Sequence, residues 1–140
     1  MIAEALRNLI IASPSIVSSL ATYEFTTGVP TPAVFTTDVI PDDAGYPSVI
    51  INEGGGTLFG TRAQKGASQG VNIRIYGDKN RNTTVLRALA WSIWSLVHRS
   101  SLTITGFTPA ITIADPPSAL SDPDNFPGYI ISVRTTVLEN

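Results

Sequence analysis

The chain has 140 residues, a formal net charge of −2 and no cysteine. This length predicts one domain that can bury a core, and the absence of cysteine excludes a disulfide framework and a thiolate metal site. Lys and Arg form no run along the chain, so the sequence predicts no basic patch of the kind that binds nucleic acid.

Charged residues are scarce and apolar residues abundant. Charged residues make up 14% of the chain and apolar residues 43%. In a typical soluble domain about 25% of the residues are charged. This balance indicates that a partner covers part of the surface. No apolar run approaches the length of a membrane span. Glu4 lies where a signal peptide carries basic charge, so we expect no secretion signal.

The N-terminal residues have helical periodicity. One face of the segment Ile2–Ile11 carries Ile2, Leu6, Leu9 and Ile10. Ser13-Pro14 ends this helix, because the residue before a proline is pushed out of helical dihedrals. Residues 15–21 predict a second short helix that has Pro14 at its first position.

Residues 22–52 alternate between turns and short strands. Residues 22–33 are rich in Thr, Gly and Pro, which favours an irregular connection. Residues 34–40 predict a strand, and Pro41–Gly45 a turn. Residues 47–52 then predict a buried strand, with Pro47 at its first position, where a missing amide proton is tolerated.

Residues 53–70 carry many glycines and predict a long loop. A phosphate-cradling loop is excluded, because no Gly-Lys-Ser/Thr follows and no helix begins after the glycines. Long loops in compact domains are usually functional or disordered. We therefore expect an arm that orders against a neighbouring subunit. Arg62 and Lys65, its only basic residues, are candidates for pairing with acidic groups across an interface.

A strand and a long helix follow. Val71, Ile73 and Ile75 alternate with polar residues, as in a strand with one apolar face. Residues 84–99 lack Gly and Pro, and one broad apolar face carries Val85, Leu86, Leu89, Ala90, Ile93, Trp94, Leu96 and Val97. This helix is predicted to pack on the apolar face of the strand.

Trp91 lies outside the apolar face of this helix. One interpretation is a surface residue partly covered by a loop, since single exposed Trp side chains are common. The other is a partner contact, because Trp is enriched at the centres of interfaces. The sequence leaves both open.

The C-terminal third predicts three strands and a polar loop. The strands are 102–104, 110–114 and 129–138, and the loop is 115–128. Arg74 and Arg134 project from the second face of the sheet. On adjacent strands they would repel each other unless an anionic group lay opposite, and the alternative is that they are solvated surface cations.

Residues that carry catalytic or metal chemistry are few. His98 is the only histidine and lies at the end of a helix, where a cation is favoured, so no nucleophile-base-acid triad is indicated. Asp115, Asp122 and Asp124 lie among prolines, without the spacing of a calcium loop, and suit turns. The sequence therefore predicts no enzyme, no metal and no cofactor.

Together these elements predict an α+β domain that covers residues 1–140. The expected architecture is a mostly antiparallel sheet of four to five strands. One long helix, about 84–99, packs on one face, and a short N-terminal helix lies nearby.

Four stretches carry a resemblance to a known family. They are the amphipathic start Ile2–Ile11, the Gly-Tyr-Pro-Ser-Val-Ile-Ile segment at 45–51, the Val-Asn-Ile-Arg-Ile-Tyr strand at 71–76 that leads through Asp78-Lys79-Asn80 into the helix, and the Tyr-Ile-Ile-Ser-Val-Arg strand at 129–134. In these, and in the order of its elements, the chain resembles the tail-terminator (tail-completion) proteins of long-tailed bacteriophages. The loops at 53–70 and 115–128 do not align with that pattern.

The resemblance implies a structural virion protein without catalytic residues. Such subunits form a hexameric ring at the head-proximal end of the tail tube, end tube polymerisation and join the tail to the head and neck. The implied partners are other copies of the chain, the tail tube protein and a neck or head-completion protein. Genomic DNA passes through the ring without sequence-specific binding, no membrane is involved, and assembly takes place in the cytoplasm of the host bacterium.

Two alternatives stay open at this stage. One is another head-tail connector component, such as a stopper or adaptor. The other is a small monomeric binding domain or enzyme, which should carry one well-formed apolar pocket. The candidate subunit or tube contacts are Arg62, Lys65, Arg74, Trp91 and Arg134.

Overall fold

The computed structural model describes residues 2–26, 29–36, 47–60, 65–77, 83–102, 107–108, 110–120 and 128–139. These ranges contain three helices, which are α1 (Ile2–Ile11), α2 (Pro14–Val17) and α3 (Thr83–Val97). They also contain ten strands, which are β1 (Thr22–Thr26), β2 (Val29–Pro32), β3 (Val34–Phe35), β4 (Ser48–Gly60), β5 (Lys65–Tyr76), β6 (Ser101–Leu102), β7 (Phe107–Thr108), β8 (Ala110–Ala114), β9 (Ser118–Leu120) and β10 (Gly128–Glu139).

Eight of the described strands form one sheet around β5 and β10. The order along the sheet is β3-β4-β5-β10-β8-β6, and β9 and β7 pair with the two ends of β10. β3 is parallel to β4, and the other pairings in the sheet are antiparallel. The predicted α+β class and mostly antiparallel sheet are confirmed. The predicted count of four to five strands is too low. β7 and β9, of two and three residues, leave no periodic signal, and the sheet also includes β3 and β6, which overlap the strands predicted at 34–40 and 102–104.

α3 packs on one face of this sheet and forms the core with it. Val71, Ile73 and Ile75 of β5 are buried, as predicted, in one cluster with residues of α3, namely Leu86, Leu89, Ala90, Ile93 and Val97. α1 and the neighbouring strands add Leu6, Ile10, Val49, Ile51, Ile131 and Val133. Burying each of these large aliphatic side chains contributes about 1.5–3 kcal/mol. We call the face under α3 the inner face and the opposite face the outer face.

α3 begins one residue earlier and ends two residues earlier than the predicted 84–99. Arg99 has a φ of 61°, the left-handed conformation that commonly stops a helix. Its amide donates to the Thr112 carbonyl at 2.6 Å, and the Thr112 amide donates to the Ser100 carbonyl at 2.9 Å. The chain therefore leaves the helix by pairing with β8.

The predicted loop at 53–70 is wrong over most of its length. Residues 53–60 continue β4 and residues 65–70 continue β5, and the pairing extends to Gly60 and Lys65. These glycine-rich segments form strands because β5 is hydrogen-bonded along both edges, to the backbones of β4 and β10. A bulge between Glu53 and Gly56 accommodates the one extra residue of β4. Residues 61–64 lie outside the described part of the chain.

Three other boundaries differ from expectation. The connection at 22–33 contains the antiparallel pair β1–β2, in which Pro30 and Pro32 are tolerated because this sheet has only two strands, and therefore only edges. The strand predicted at 34–40 is confirmed only at Val34–Phe35, and 37–40 lie outside the described residues. The loop predicted at 115–128 contains β9, since Ser118–Leu120 pairs with the start of β10, and 121–127 are not described.

Candidate interface surfaces

The solvent exposure of the outer face differs between the two ends of the sheet. At the β3 end this face is covered, because Phe35 and Ile50 lie opposite each other and are both buried. Tyr23 contacts Phe35 edge to face, with ring centroids 5.4 Å apart. On β10 and β8 the outer face is open, since Ser132, Arg134 and Ile113 are exposed. A partner that contacts this face therefore meets the β10–β8 side.

The two arginines predicted on the second face both lie there, on adjacent strands. Arg74 is paired with Ile50 and Ile130, whereas Arg134 is paired with Gly70. Four residues separate these register positions, which is about 13 Å along a strand. At that distance salt screens most of the repulsion between exposed charges, so the predicted need for an opposing anion does not arise.

A depression of about 260 Å³ surrounds Arg134 on the open side of the outer face. It is lined by Gly70, Val71, Asn72, Ile113, Asp115, Ser132, Val133 and Arg134. Gly70 is the β5 neighbour of Arg134, and its missing side chain leaves room beside the arginine. The depression thus combines one guanidinium, one carboxylate, an amide, a hydroxyl and the exposed side chain of Ile113.

Ile113 is the large apolar residue that the sequence pattern did not single out. It is 49% exposed, whereas its neighbours Thr112 and Ala114 are buried on the inner face. Thr135 donates a hydrogen bond from its hydroxyl to the Thr112 hydroxyl at 3.3 Å, so a polar pair occupies the buried position. The alternation of Ile and Thr in β8 does indicate a strand with two different faces. It predicts the wrong face as buried, however, because Thr112 is buried and Ile113 is exposed.

Trp91 lies on α3, 44% exposed, on the other side of the sheet from Arg134. Its ring contacts Trp94 edge to face, with centroids 5.4 Å apart. Trp94 donates from Nε1 to the Ala114 carbonyl at 3.0 Å and stacks on His98 at 5.0 Å. Trp94 therefore fixes α3 to β8, and Trp91 extends that aromatic row to the surface.

His98 has a different role from the helix-terminal cation that was predicted. Its Nδ1 accepts a hydrogen bond from the Ala114 amide at 3.1 Å. This hydrogen bond fixes the imidazole, directly after the end of α3, to the backbone of β8. Trp94 and His98 together satisfy both backbone groups of Ala114.

The described part of the chain contains neither a candidate metal site nor a helix that could span a membrane. No group of three His, Cys, Asp or Glu residues there could hold a metal ion. Asp115 is exposed, and the other two aspartates of the calcium hypothesis, Asp122 and Asp124, lie outside the described residues. No described helix is long and apolar enough to cross a membrane.

The structure thus brings together only part of the predicted set. Arg74 and Arg134 share the outer face, and Trp91 lies on α3 across the sheet from them. Lys65 is the first residue of β5, with no description of its side chain, and Arg62 lies outside the described residues. Asn72, Ile113, Asp115 and Ser132 were not predicted, and they join Arg134 in the depression.

Comparison with solved structures shows a likeness of fold, whereas comparison by sequence shows none. No protein-family model and no curated protein matches the sequence. The fold is similar to a chain in the solved structure of the virion of a native gene transfer agent (GTA) particle, with a TM-score of 0.66. The match covers 97% of this chain and 93% of that chain at 13% sequence identity. At this identity the likeness shows a common fold over nearly the whole length of both chains.

Proposed function

We propose that the chain is a structural virion protein of the tail-terminator type. It forms a homo-hexameric ring on the head-proximal end of a phage tail tube, ends tube polymerisation and joins the tail to the head. The observation that carries the proposal is the fold shared with a GTA virion chain over 97% of this chain. The resemblance of four sequence stretches to tail terminators supports the specific role.

The proposal includes the partners and the location. The subunit contacts neighbouring copies, the tail tube protein and a neck or head-completion protein. DNA passes through the ring without sequence-specific binding, and the protein, assembled in the host cytoplasm, stays in the virion. It has no enzymatic activity, no cofactor and no membrane contact.

Two surfaces suit a subunit with several neighbours. Trp91 is exposed on α3, and Arg134 is exposed on the outer face, so the two point to different sides of the sheet. A small monomeric enzyme or binding domain carries one concave site for its ligand. A subunit that lies between tube and neck instead needs separate surfaces for its different neighbours. Lys65, the first residue of β5, and Arg62, three residues earlier in the sequence, are proposed as a third contact.

Deletion of the gene in the phage that carries it tests this function. Negative-stain electron microscopy of the lysate should show tails of abnormal length, separate from filled heads, and a plasmid copy should restore joined particles. Tails of normal length that fail to join would assign a stopper or adaptor role instead. Normal infectious particles would contradict any role in the virion.

A further inference from the structure

We infer that the depression on the outer face binds an acidic side chain of a partner protein, with Arg134 as its anchor. The partner presents this carboxylate next to an apolar side chain that packs on Ile113. The inference goes beyond the proposed function, because it concerns a particular recognition site and holds whichever protein the chain meets.

The position of Arg134 leaves its guanidinium open to a ligand. Its two cross-strand neighbours are Gly70 on β5 and Ile113 on β8. Gly70 offers no side chain to cover the guanidinium, and Ile113 offers only apolar surface. The volume of about 260 Å³ is enough for a side chain of a partner rather than for a large ligand.

The polar groups beside Arg134 are complementary to a carboxylate. Asn72 and Ser132 face each other in the register two residues along the strands, and both line the depression. Guanidinium bonds a carboxylate with two parallel N–H groups, and an amide and a hydroxyl supply further donors. The apolar surface of Ile113 lowers the local dielectric once covered, which strengthens these bonds.

The same residues argue against a nucleic-acid backbone as the ligand. A phosphate backbone is bound by several cations along its path. The depression holds one guanidinium, Arg74 lies about 13 Å away along the sheet, and Asp115 carries negative charge at the site. Asp115 lies on the β8 side of Arg134 and repels a polyanion, whereas a single carboxylate can reach Arg134 from the β5 side, over Gly70.

A peptide titration followed by ¹⁵N NMR of the full chain tests the inference. The probe is acetyl-Leu-Glu-Leu-amide, and its matched control is acetyl-Leu-Gln-Leu-amide. The Glu peptide should shift the amide signals of Gly70, Asn72, Ile113 and Arg134. It should bind about tenfold more tightly than the Gln peptide, as expected for loss of one charge-assisted contact.

Two variants sharpen the test. Arg134→Gln should lower affinity for the Glu peptide to that of the Gln peptide. Arg87→Gln, the same change at an exposed arginine of α3, across the sheet from the depression, should bind as the unmodified chain does. Thermal unfolding shows whether either variant has lost its fold.

Four results would each overturn the inference. These are equal binding of the two peptides, unchanged binding by Arg134→Gln, absence of shifts around the depression at millimolar peptide, or displacement of the peptide by a short DNA oligonucleotide, which would assign nucleic acid instead. Since no virion is needed, failure here leaves the tail-terminator proposal to its own test.

Discussion

Neighbouring residues of β10 lie on opposite faces of the sheet and in opposite environments. Ile131 and Val133 are buried under α3, whereas Ser132 and Arg134 are exposed on the outer face. On β5 the alternation repeats, with Ile73 buried and Arg74 half-buried. Residues of the same strand therefore have different roles according to the face on which their side chains lie. Inner-face side chains stabilise the fold, and outer-face side chains are available for contact with a partner.

This separation has a physical consequence for substitutions. An inner-face side chain packs against α3, so removing it leaves a cavity, and the free energy of unfolding falls. An outer-face side chain on the open side has few atoms around it, so removing it changes unfolding little. Effects on stability and on partner binding should therefore map to different faces.

The largest loss of stability is expected in the core under α3. Leu89→Ala and Ile93→Ala should each lower the free energy of unfolding by about 2–5 kcal/mol, because both side chains are at least 96% buried and leave a cavity. Equilibrium urea denaturation measures the change. Arg87→Ala, on the exposed side of the same helix, is the control, and losses below about 0.5 kcal/mol for both core variants would contradict the assigned face.

A smaller loss is expected where α3 is fixed to β8. Trp94→Phe removes the donor to the Ala114 carbonyl and should lower the free energy of unfolding by about 1–2 kcal/mol. Trp91→Phe makes the same chemical change at the exposed partner of the aromatic row and should cost about 0.5 kcal/mol or less. Equal losses in chemical denaturation would mean that the hydrogen bond contributes nothing.

A gain is expected at the end of α3. Arg99 has a φ of 61°, a conformation that costs a side-chain-bearing residue about 1–2 kcal/mol but glycine almost nothing. Arg99→Gly should therefore raise the free energy of unfolding by about 0.5–1 kcal/mol, after the greater freedom of glycine in the unfolded chain is subtracted. Arg99→Ala, which keeps the strain, should change it little, and a loss of stability in the glycine variant would contradict this account.

The smallest effect on stability is expected on the outer face. Arg134→Gln should change the free energy of unfolding by less than about 0.5 kcal/mol. Under the proposed function it should nevertheless reduce the yield of joined head–tail particles. Calorimetry and particle counts measure the two quantities. If the variant unfolds more readily than the unmodified chain, Arg134 contributes to the stability of the fold. If assembly is normal, Arg134 does not contact a partner.

Sequence periodicity was sufficient for the long elements. α1 and α3 have apolar residues at helical spacing, and residues 71–75 of β5 and 131–133 of β10 alternate between apolar and polar, so the buried faces of these segments were predicted correctly. The β4–β5 pairing beyond Glu53 was not predicted, because glycine carries no side-chain pattern and its pairing depends on β10. β7 and β9 have two and three residues, too few for any period to appear, whereas the strand predicted at 102–104 overlaps β6 at Leu102, and 103–104 lie outside the described residues.

The candidate sites were predictable only in part, for similar reasons. Arg74, Arg134 and Trp91 were found because each departs from a local apolar pattern. Ile113 and Thr112 were not, since their burial is reversed by packing against α3 and by the Thr112–Thr135 hydrogen bond. The depression itself depends on register, which places Gly70 beside Arg134 and cannot be read from either strand alone.

The central claim is the proposed tail-terminator role, and cryo-electron microscopy of particles purified from the strain that carries the gene tests it most directly. The account predicts six copies of this fold in one ring between the tail tube and the neck, with the outer-face depression or Trp91 against a neighbouring protein. Density for the chain at the baseplate, in the capsid or nowhere in the particle would contradict it.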